Sequence, residues 1–216
     1  MKDKNLHNNA LLSSSKGVLD DVKELYANLE DEDLMEEYKR GNMRAFDELY
    51  DRWGKPIYSY IRLRNSVANN SDDVFQEVFL RLHRARFDYD SSRPFKNWIF
   101  TITRNFLISE QKRFKVRMRL NEYLKIDSMN WHSNDQEFEV ESFNEQASFG
   151  LTHRLLASIP ESQREVIILN RLEGLKCNEI ANVTGSTEAA VKQRIYRGMK
   201  TLRESIKSLN KNISGA

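Results

Sequence analysis

Eight cations crowd residues 93–119 (Arg93, Lys96, Arg104, Lys112, Arg113, Lys115, Arg117 and Arg119) against a single acid, Glu110. Apolar spacing over the same stretch is helical. Phe95, Trp98, Ile99, Ile102 and Phe106 share one face and read as core. Phe100, Arg104, Ile108, Gln111 and Lys115 project roughly the other way, and Phe100 adjoins Arg104 four residues on. Cations meet phosphate, and an aromatic face stacks on an unpaired base at roughly 1–3 kcal/mol. The chemistry open to this face is capture of single-stranded nucleic acid. The spacing fits a solvated basic surface with one stray aromatic equally well.

A second constellation lies at residues 178–197. Ala181 is small enough for close helix packing, and Gly185 suits a left-handed turn. Thr187 suits an N-cap, with Glu188 in the first turn behind it. Val191, Ile195, Met199 and Leu202 then form a buried stripe, which leaves Lys192, Gln193, Tyr196, Arg197 and Lys200 outside. Turn, cap, core and basic face agree on a helix-turn-helix whose second helix enters a major groove, ahead of an ordinary helical hairpin with a basic solvent face. Lys and Arg hold phosphates or read guanine there, and Gln reads adenine.

A third feature is a helix over 71–86. Ser71 suits its cap, and Asp72 and Asp73 sit in its first turn. Val74, Phe75, Val78, Phe79 and Leu82 make one apolar stripe; Asp72, Asp73, Gln76, Glu77 and Arg84 lie opposite, with Leu80 among them. A small apolar centre ringed by acids and an amide suits a protein contact. A single exposed leucine with no role fits the spacing as well.

Enzyme chemistry finds little here. The four histidines (His7, His83, His132, His153) are scattered, and no CxxC, P-loop or HExxH spacing occurs. Asp72-Asp73 reads as first-turn helix charge before it reads as a metal pair. No catalytic residue, metal, cofactor or small-molecule substrate is expected.

The elements that must carry these groups follow from composition. The chain has 216 residues with 31% charged and 39% hydrophobic, and only 8 glycines and 3 prolines. Few breakers and helical spacing throughout imply an all-α protein. The single cysteine, Cys177, excludes an intrachain disulfide. No apolar run nears the roughly 18–20 residues that span a bilayer. The N-terminal residues lack the apolar core of a signal peptide, so a cytoplasmic location without membrane insertion is expected. Residues 1–30 read as a flexible tail, 31–119 as one helical domain, and 120–149 as a polar, acidic linker. Residues 150–208 read as the helix-turn-helix domain and 209–216 as a C-terminal tail.

Taken together these residues resemble the extracytoplasmic-function sigma factors of bacterial RNA polymerase. The segments Ala45-Phe46-Asp47-Glu48-Leu49-Tyr50, Asp72 through Phe79, and Phe95-Lys96-Asn97-Trp98-Ile99 through Arg104-Asn105 are similar to sigma region 2. Ile159-Pro160, Glu173-Gly174-Leu175, Glu179-Ile180-Ala181 and Val191 through Arg197 are similar to sigma region 4. The resemblance implies two small helical domains joined by a flexible linker, and roles for the three constellations. Asp72, Asp73, Gln76, Glu77 and Leu80 would dock on the polymerase β′ clamp, and region 4 on the β flap. Phe100, Arg104, Asn105, Gln111, Lys112 and Arg113 would bind and open the minus-ten promoter element, with Asn105 at the position that holds a flipped base. Lys192, Gln193, Arg194, Tyr196 and Arg197 would read the minus-thirty-five element. An anti-sigma partner is implied too. Ser109, Ser186, Ala190 and Cys177 depart from the family's usual residues, and the linker of roughly 30 residues is too short for a further domain. The rival readings are a stand-alone helix-turn-helix regulator, which leaves the 71–86 surface unexplained, and a recombinase-like enzyme.

Overall fold

The computed structural model describes residues 25–64, 71–124 and 143–214, with side chains as far as residue 120 in the second stretch and from 149 to 208 in the third. Helices α1 (Asp31–Lys39), α2 (Met43–Arg64), α3 (Ser71–Arg84) and α4 (Phe95–Leu124) come first. Helices α5 (Phe143–Ala157), α6 (Glu161–Ile167), α7 (Cys177–Thr184) and α8 (Glu188–Ser214) follow, and no strand occurs among the described residues. The all-α expectation holds.

Two compact units result. Among the described residues, one comprises those up to 54 with 84–96, the other those of 55–83 with 97 onward. This division differs from the one expected at the linker: α2 and α4 each contribute to both units. The expected tail is tied down earlier than position 30. Arg52 donates to the carbonyls of Ala27 (2.9 Å) and Leu29 (2.8 Å), and pairs with Asp31 at 2.9 Å and Glu48 at 2.8 Å. Helix also occupies both ends of the expected linker, since α4 runs to Leu124 and α5 starts at Phe143, and α8 continues to Ser214 in the expected C-terminal tail. Residues 1–24, 125–142 and 215–216 lie outside the described residues.

In the first unit Leu34, Met35, Tyr38, Ala45 and Leu49 are buried. The acids that run through this part of the sequence serve its packing. Asp31 also accepts from the Trp53 indole at 2.9 Å, and Glu32 accepts the backbone N–H of Phe95 at 2.7 Å. That N–H opens α4 and has no partner within the helix, so Glu32 supplies the cap from another element. Lys39 donates to the Tyr89 carbonyl at 2.6 Å, and the Tyr89 hydroxyl donates to that of Arg93 at 2.6 Å, which fixes the approach to α4.

In the second unit α3 buries Val74, Phe75, Val78, Phe79 and Leu82, the stripe read from the sequence. They meet the latter half of α2, where the Tyr58 and Phe75 rings pack edge to face with centroids 5.6 Å apart. Helix α4 buries Ile99, Phe100, Thr103, Phe106 and Leu107. Phe100 corrects an expectation. Placed on the nucleic-acid face by spacing, it is 0% exposed, and its ring meets that of Tyr60 edge-on at 5.3 Å. The physical reason is that α4 is packed on two flanks. At about 100° per residue, Phe95, Ile99, Thr103, Phe106, Leu107 and Phe100 span a wide arc, and Phe100 closes its far edge against α2.

The C-terminal helices share their own core of Leu156, Ile159, Val166, Ile167, Ile168, Leu169, Leu175, Ile180, Val183 and Val191. Pro160 sits at the N-cap of α6. After Ile167 the backbone widens into a π-turn over Ile168–Leu172, and Gly174 at φ 68° turns the chain toward α7. Gly185 at φ 63° makes the left-handed turn between α7 and α8, and the Thr187 hydroxyl accepts the Ala190 N–H at 3.2 Å. Helices α6 and α8 meet at Gly198, where a Cβ would lie 2.6 Å from the Ile167 Cδ1 and 3.2 Å from the Gln163 Cβ.

Two stability outcomes follow. Gly198→Ala makes the Ile167 side chain turn away and crowds the Gln163 Cβ, and, net of the helix-propensity gain, should cost about 1 kcal/mol in denaturant unfolding. Phe100→Ala leaves a core cavity and should cost about 3–5 kcal/mol in the same measurement, the signature of a core residue and not of a surface contact.

Candidate nucleic-acid and protein interfaces

Helix α3 keeps its inner face dry, so its outer face is rigidly presented. Leu80 is 49% exposed there, with Asp73 and Gln76 exposed and Asp72 and Glu77 half-buried. Glu77 pairs with Arg81 at 3.0 Å, and the Arg81 guanidinium lies 4.5 Å over the Phe106 ring. Asp72 accepts the Tyr58 hydroxyl at 2.9 Å. Hence Asp72 and Glu77 are also tethered to the fold, while Leu80 projects into solvent among acids and an amide.

On α4 the six candidate residues separate. Phe100 is core. Arg104 is half-buried and donates from Nε to Glu165 at 2.9 Å. Asn105, Lys112 and Arg113 are exposed, and Gln111 is half-buried. Arg113 pairs with Glu110 at 2.8 Å. Asn105 and Lys112, seven residues apart, lie two turns apart on one face. Over residues 112–120 the helix is exposed all round, with Phe114, Val116, Met118 and Leu120 interleaved among Lys112, Lys115, Arg117 and Arg119.

On α8, Val191 and Leu202 are buried and Ile195 and Met199 half-buried, the inward stripe expected. Lys192, Gln193, Tyr196 and Arg197 are exposed, Tyr196 at 70%, whereas Arg194 is half-buried. Lys192 pairs with Glu188 one turn back at 2.6 Å. That hydrogen bond, with the carboxylate's charge, raises the lysine's pKa and keeps it cationic.

Sequence reasoning missed the partners of Arg104. Glu165 was unassigned, as were Arg64 and Tyr60, which converge on it from α2. Glu165 lies 105 residues from Tyr60 and 61 from Arg104, so no local pattern links them. Phe87 was also passed over; it is 64% exposed, with the Arg86 guanidinium 4.2 Å over its ring. Among the described residues no cluster of His, Cys, Asp and Glu could hold a metal ion, and no helix is long and apolar enough to cross a membrane.

Comparison with known proteins fits this layout. The chain matches sigma-70 region 2 over residues 49–115 and sigma-70 region 4 over 150–202, together more than half of it. It is 30% identical over 172 residues to the ECF RNA polymerase sigma factor BldN of Streptomyces coelicolor, covering 79% of this chain and 63% of that one. It is 24% identical over 179 residues to the ECF RNA polymerase sigma factor SigW of Bacillus subtilis, covering 81% of this chain and 96% of that one. The fold is similar to CnrH, solved with the cytosolic domain of CnrY, at a TM-score of 0.62 and 24% identity over 82% of this chain and 97% of that one. It is also similar to the sigma factor RpoE of Bartonella quintana, solved with the anti-sigma factor NepR, at a TM-score of 0.59 and 20% identity over 75% of this chain and 96% of that one. A stand-alone helix-turn-helix regulator would leave the region 2 match without a role. Two sigma-70 regions in their order, on an all-helical chain similar to these relatives along about four-fifths of its length, make the chain a member of the extracytoplasmic-function family: it is an RNA polymerase sigma factor.

Proposed function

We propose that this sigma factor joins core RNA polymerase through the outer face of α3, with Leu80 entering an apolar spot on the β′ clamp and Asp73, Gln76 and Glu77 pairing around it. The observation that carries this reading is the exposed Leu80 on a helix whose opposite face is wholly buried. A leucine at 49% exposure, ringed by polar groups, gives an interface its apolar centre and polar rim.

The DNA contacts divide between α4 and α8. Asn105 and Lys112 form one exposed strip of α4, where the amide holds an unstacked base of the minus-ten element and the cation holds a phosphate. Arg113 and Gln111 extend that contact. Capturing bases offsets the few kcal/mol of unstacking that promoter opening costs. Helix α8 enters the major groove of the minus-thirty-five element, with Gln193 and Arg197 at base edges and Lys192, Arg194 and Tyr196 at the backbone. Region 4 also meets the β flap. The chain has no active site of its own, since polymerase supplies the chemistry, and it works in the cytoplasm. An anti-sigma factor masks its surfaces between signals; the relative from Bartonella quintana was solved bound to one.

The decisive experiment is in vitro transcription with core polymerase on a library of promoter fragments, with and without this protein. New start sites should appear only with the protein and should vanish with Gln76→Ala plus Leu80→Ala. Both side chains are exposed, so the double variant should keep its helicity by circular dichroism. Lys192→Ala should lower the slope of log affinity against log salt by about 1, as expected for one lost phosphate contact. No core binding and no new transcript would overturn the reading.

A further inference from the structure

One anionic oxygen gathers three donors in the second unit. Glu165 Oε1 lies 2.9 Å from Arg104 Nε, 3.3 Å from Arg64 Nη2 and 3.3 Å from the Tyr60 hydroxyl. The Arg64 and Glu165 side chains are 3% and 7% exposed, and Arg64 also reaches Glu161 at 3.3 Å. Arg64 Nη1 is 3.5 Å from the Arg104 carbonyl, which ties the two arginines to each other. The Arg64 Nε is buried and meets no acceptor among the described residues. Burial pushes the Tyr60 phenol well above its ordinary range, so it stays a neutral donor.

The donors and the acceptor belong to different parts of the chain. Tyr60 and Arg64 stand on α2 and Arg104 on α4, whereas Glu161 and Glu165 stand on α6, in the part matched to sigma region 4. Two guanidinium groups converging on one oxygen, with a further N–H to spare, form a donor set that suits a phosphodiester as well as a carboxylate. Withdrawing Glu165 would leave two adjacent cations, one of them deeply buried, in want of an anion.

We propose that Arg64 and Arg104 are one phosphate-binding pair with two alternative occupants: the Glu165 carboxylate in this structure, and a backbone phosphate of promoter DNA once α6 has moved off α2 and α4. Glu165 is then a built-in competitor of DNA, and Arg64 is a DNA contact that its burial conceals. The inference rests on the sigma-factor reading of α4 and adds a residue and a switch to it.

The test has two arms, both with the full chain. In the first, Glu165→Gln keeps the side chain's shape and removes its charge. Binding of the free protein to a labelled single-stranded oligonucleotide of mixed sequence, read by fluorescence anisotropy, should tighten by about fivefold or more. Spin labels at positions 55 and 203, in a Cys177→Ser background, should move apart in the same variant. If Glu165→Gln loses helicity, Glu161→Gln, at an exposed position on the same arginine, carries the arm with a smaller shift in the same direction. In the second arm, Arg64→Gln in the polymerase complex should lower the salt slope of promoter binding by about 1, while Glu165→Gln leaves that slope at the wild-type value. Unchanged oligonucleotide affinity in the first arm, or an unchanged slope for Arg64→Gln, overturns the proposal. Wild-type protein that yields no transcript with core polymerase overturns the functional reading instead, and the free-protein arm still reads the switch by itself.

Discussion

A guanidinium taken out of water has to be met by acceptors, and that constraint organises the molecule. With 31% of its residues charged, the chain takes several guanidinium groups out of water and meets them with carboxylates or carbonyls. It does so in three ways. Arg52 collects two carboxylates and backbone carbonyls, and so fixes the entry to α1. Arg164, 7% exposed, donates to the carbonyls of Ala157 and Ile159 at 3.3 Å, where the chain leaves α5. Loss of solvation lowers the Arg164 pKa, although Glu161 nearby opposes the shift. Arg64 and Arg104 share Glu165. Arg52, Arg64 and Arg104 reach groups more than 20 positions away in sequence, whereas Arg164 reaches back only five and seven residues. Removing one partner from a buried pair of this kind typically costs about 3–5 kcal/mol, since the other charge is left uncompensated.

The exposed faces obey a different economy. Lys192 with Glu188, Arg113 with Glu110 and Arg81 with Glu77 are pairs within one helix, three or four residues apart. Such pairs are weak in water and screened by salt. They hold long side chains near a working geometry, yet a phosphate or a partner's charge displaces the acid easily. The same residue type is thus locked where it is buried and merely poised where it is exposed. Arg104 falls between these cases: it is half-buried and charge-paired across the chain, and the group that holds it is itself buried.

What the sequence made legible was local. The α3 stripe, the left-handed Gly185 and the Thr187 cap depend on neighbours three or four residues away, and each is found in the structure. Phe100 was misplaced because spacing alone assigns a helix one buried face, whereas α4 is flanked on two sides. The tail boundary was misplaced because Arg52, which holds residues 27 and 29, lies more than 20 positions on. The Glu165 cluster was invisible for the same reason on a larger scale. A glutamate directly before the apolar run Val166-Ile167-Ile168-Leu169 carries a signal only in hindsight: its buried position one turn into α6 demanded a cationic partner that local spacing does not name.

The burial of Phe100 and the pairing of Arg104 bear on how α4 meets nucleic acid. These two residues mark one flank of the helix, and that flank is covered by the Tyr60 ring and the Glu165 carboxylate. Asn105 is next in sequence to Arg104 but stands about 100° round the helix, in solvent. On the proposed reading, a base held by Asn105 would approach along the Asn105–Lys112 strip, which is open in this structure. A phosphate held by Arg104 approaches along the flank that Glu165 covers. The two contacts serve one strand of DNA only if they are made in order: first the open strip, then the covered flank as the carboxylate gives way. On the proposed reading, a helix that presents one face at once and the other on demand would let an exposed contact precede a guarded one, with the Glu165 charge on α6 as the guard.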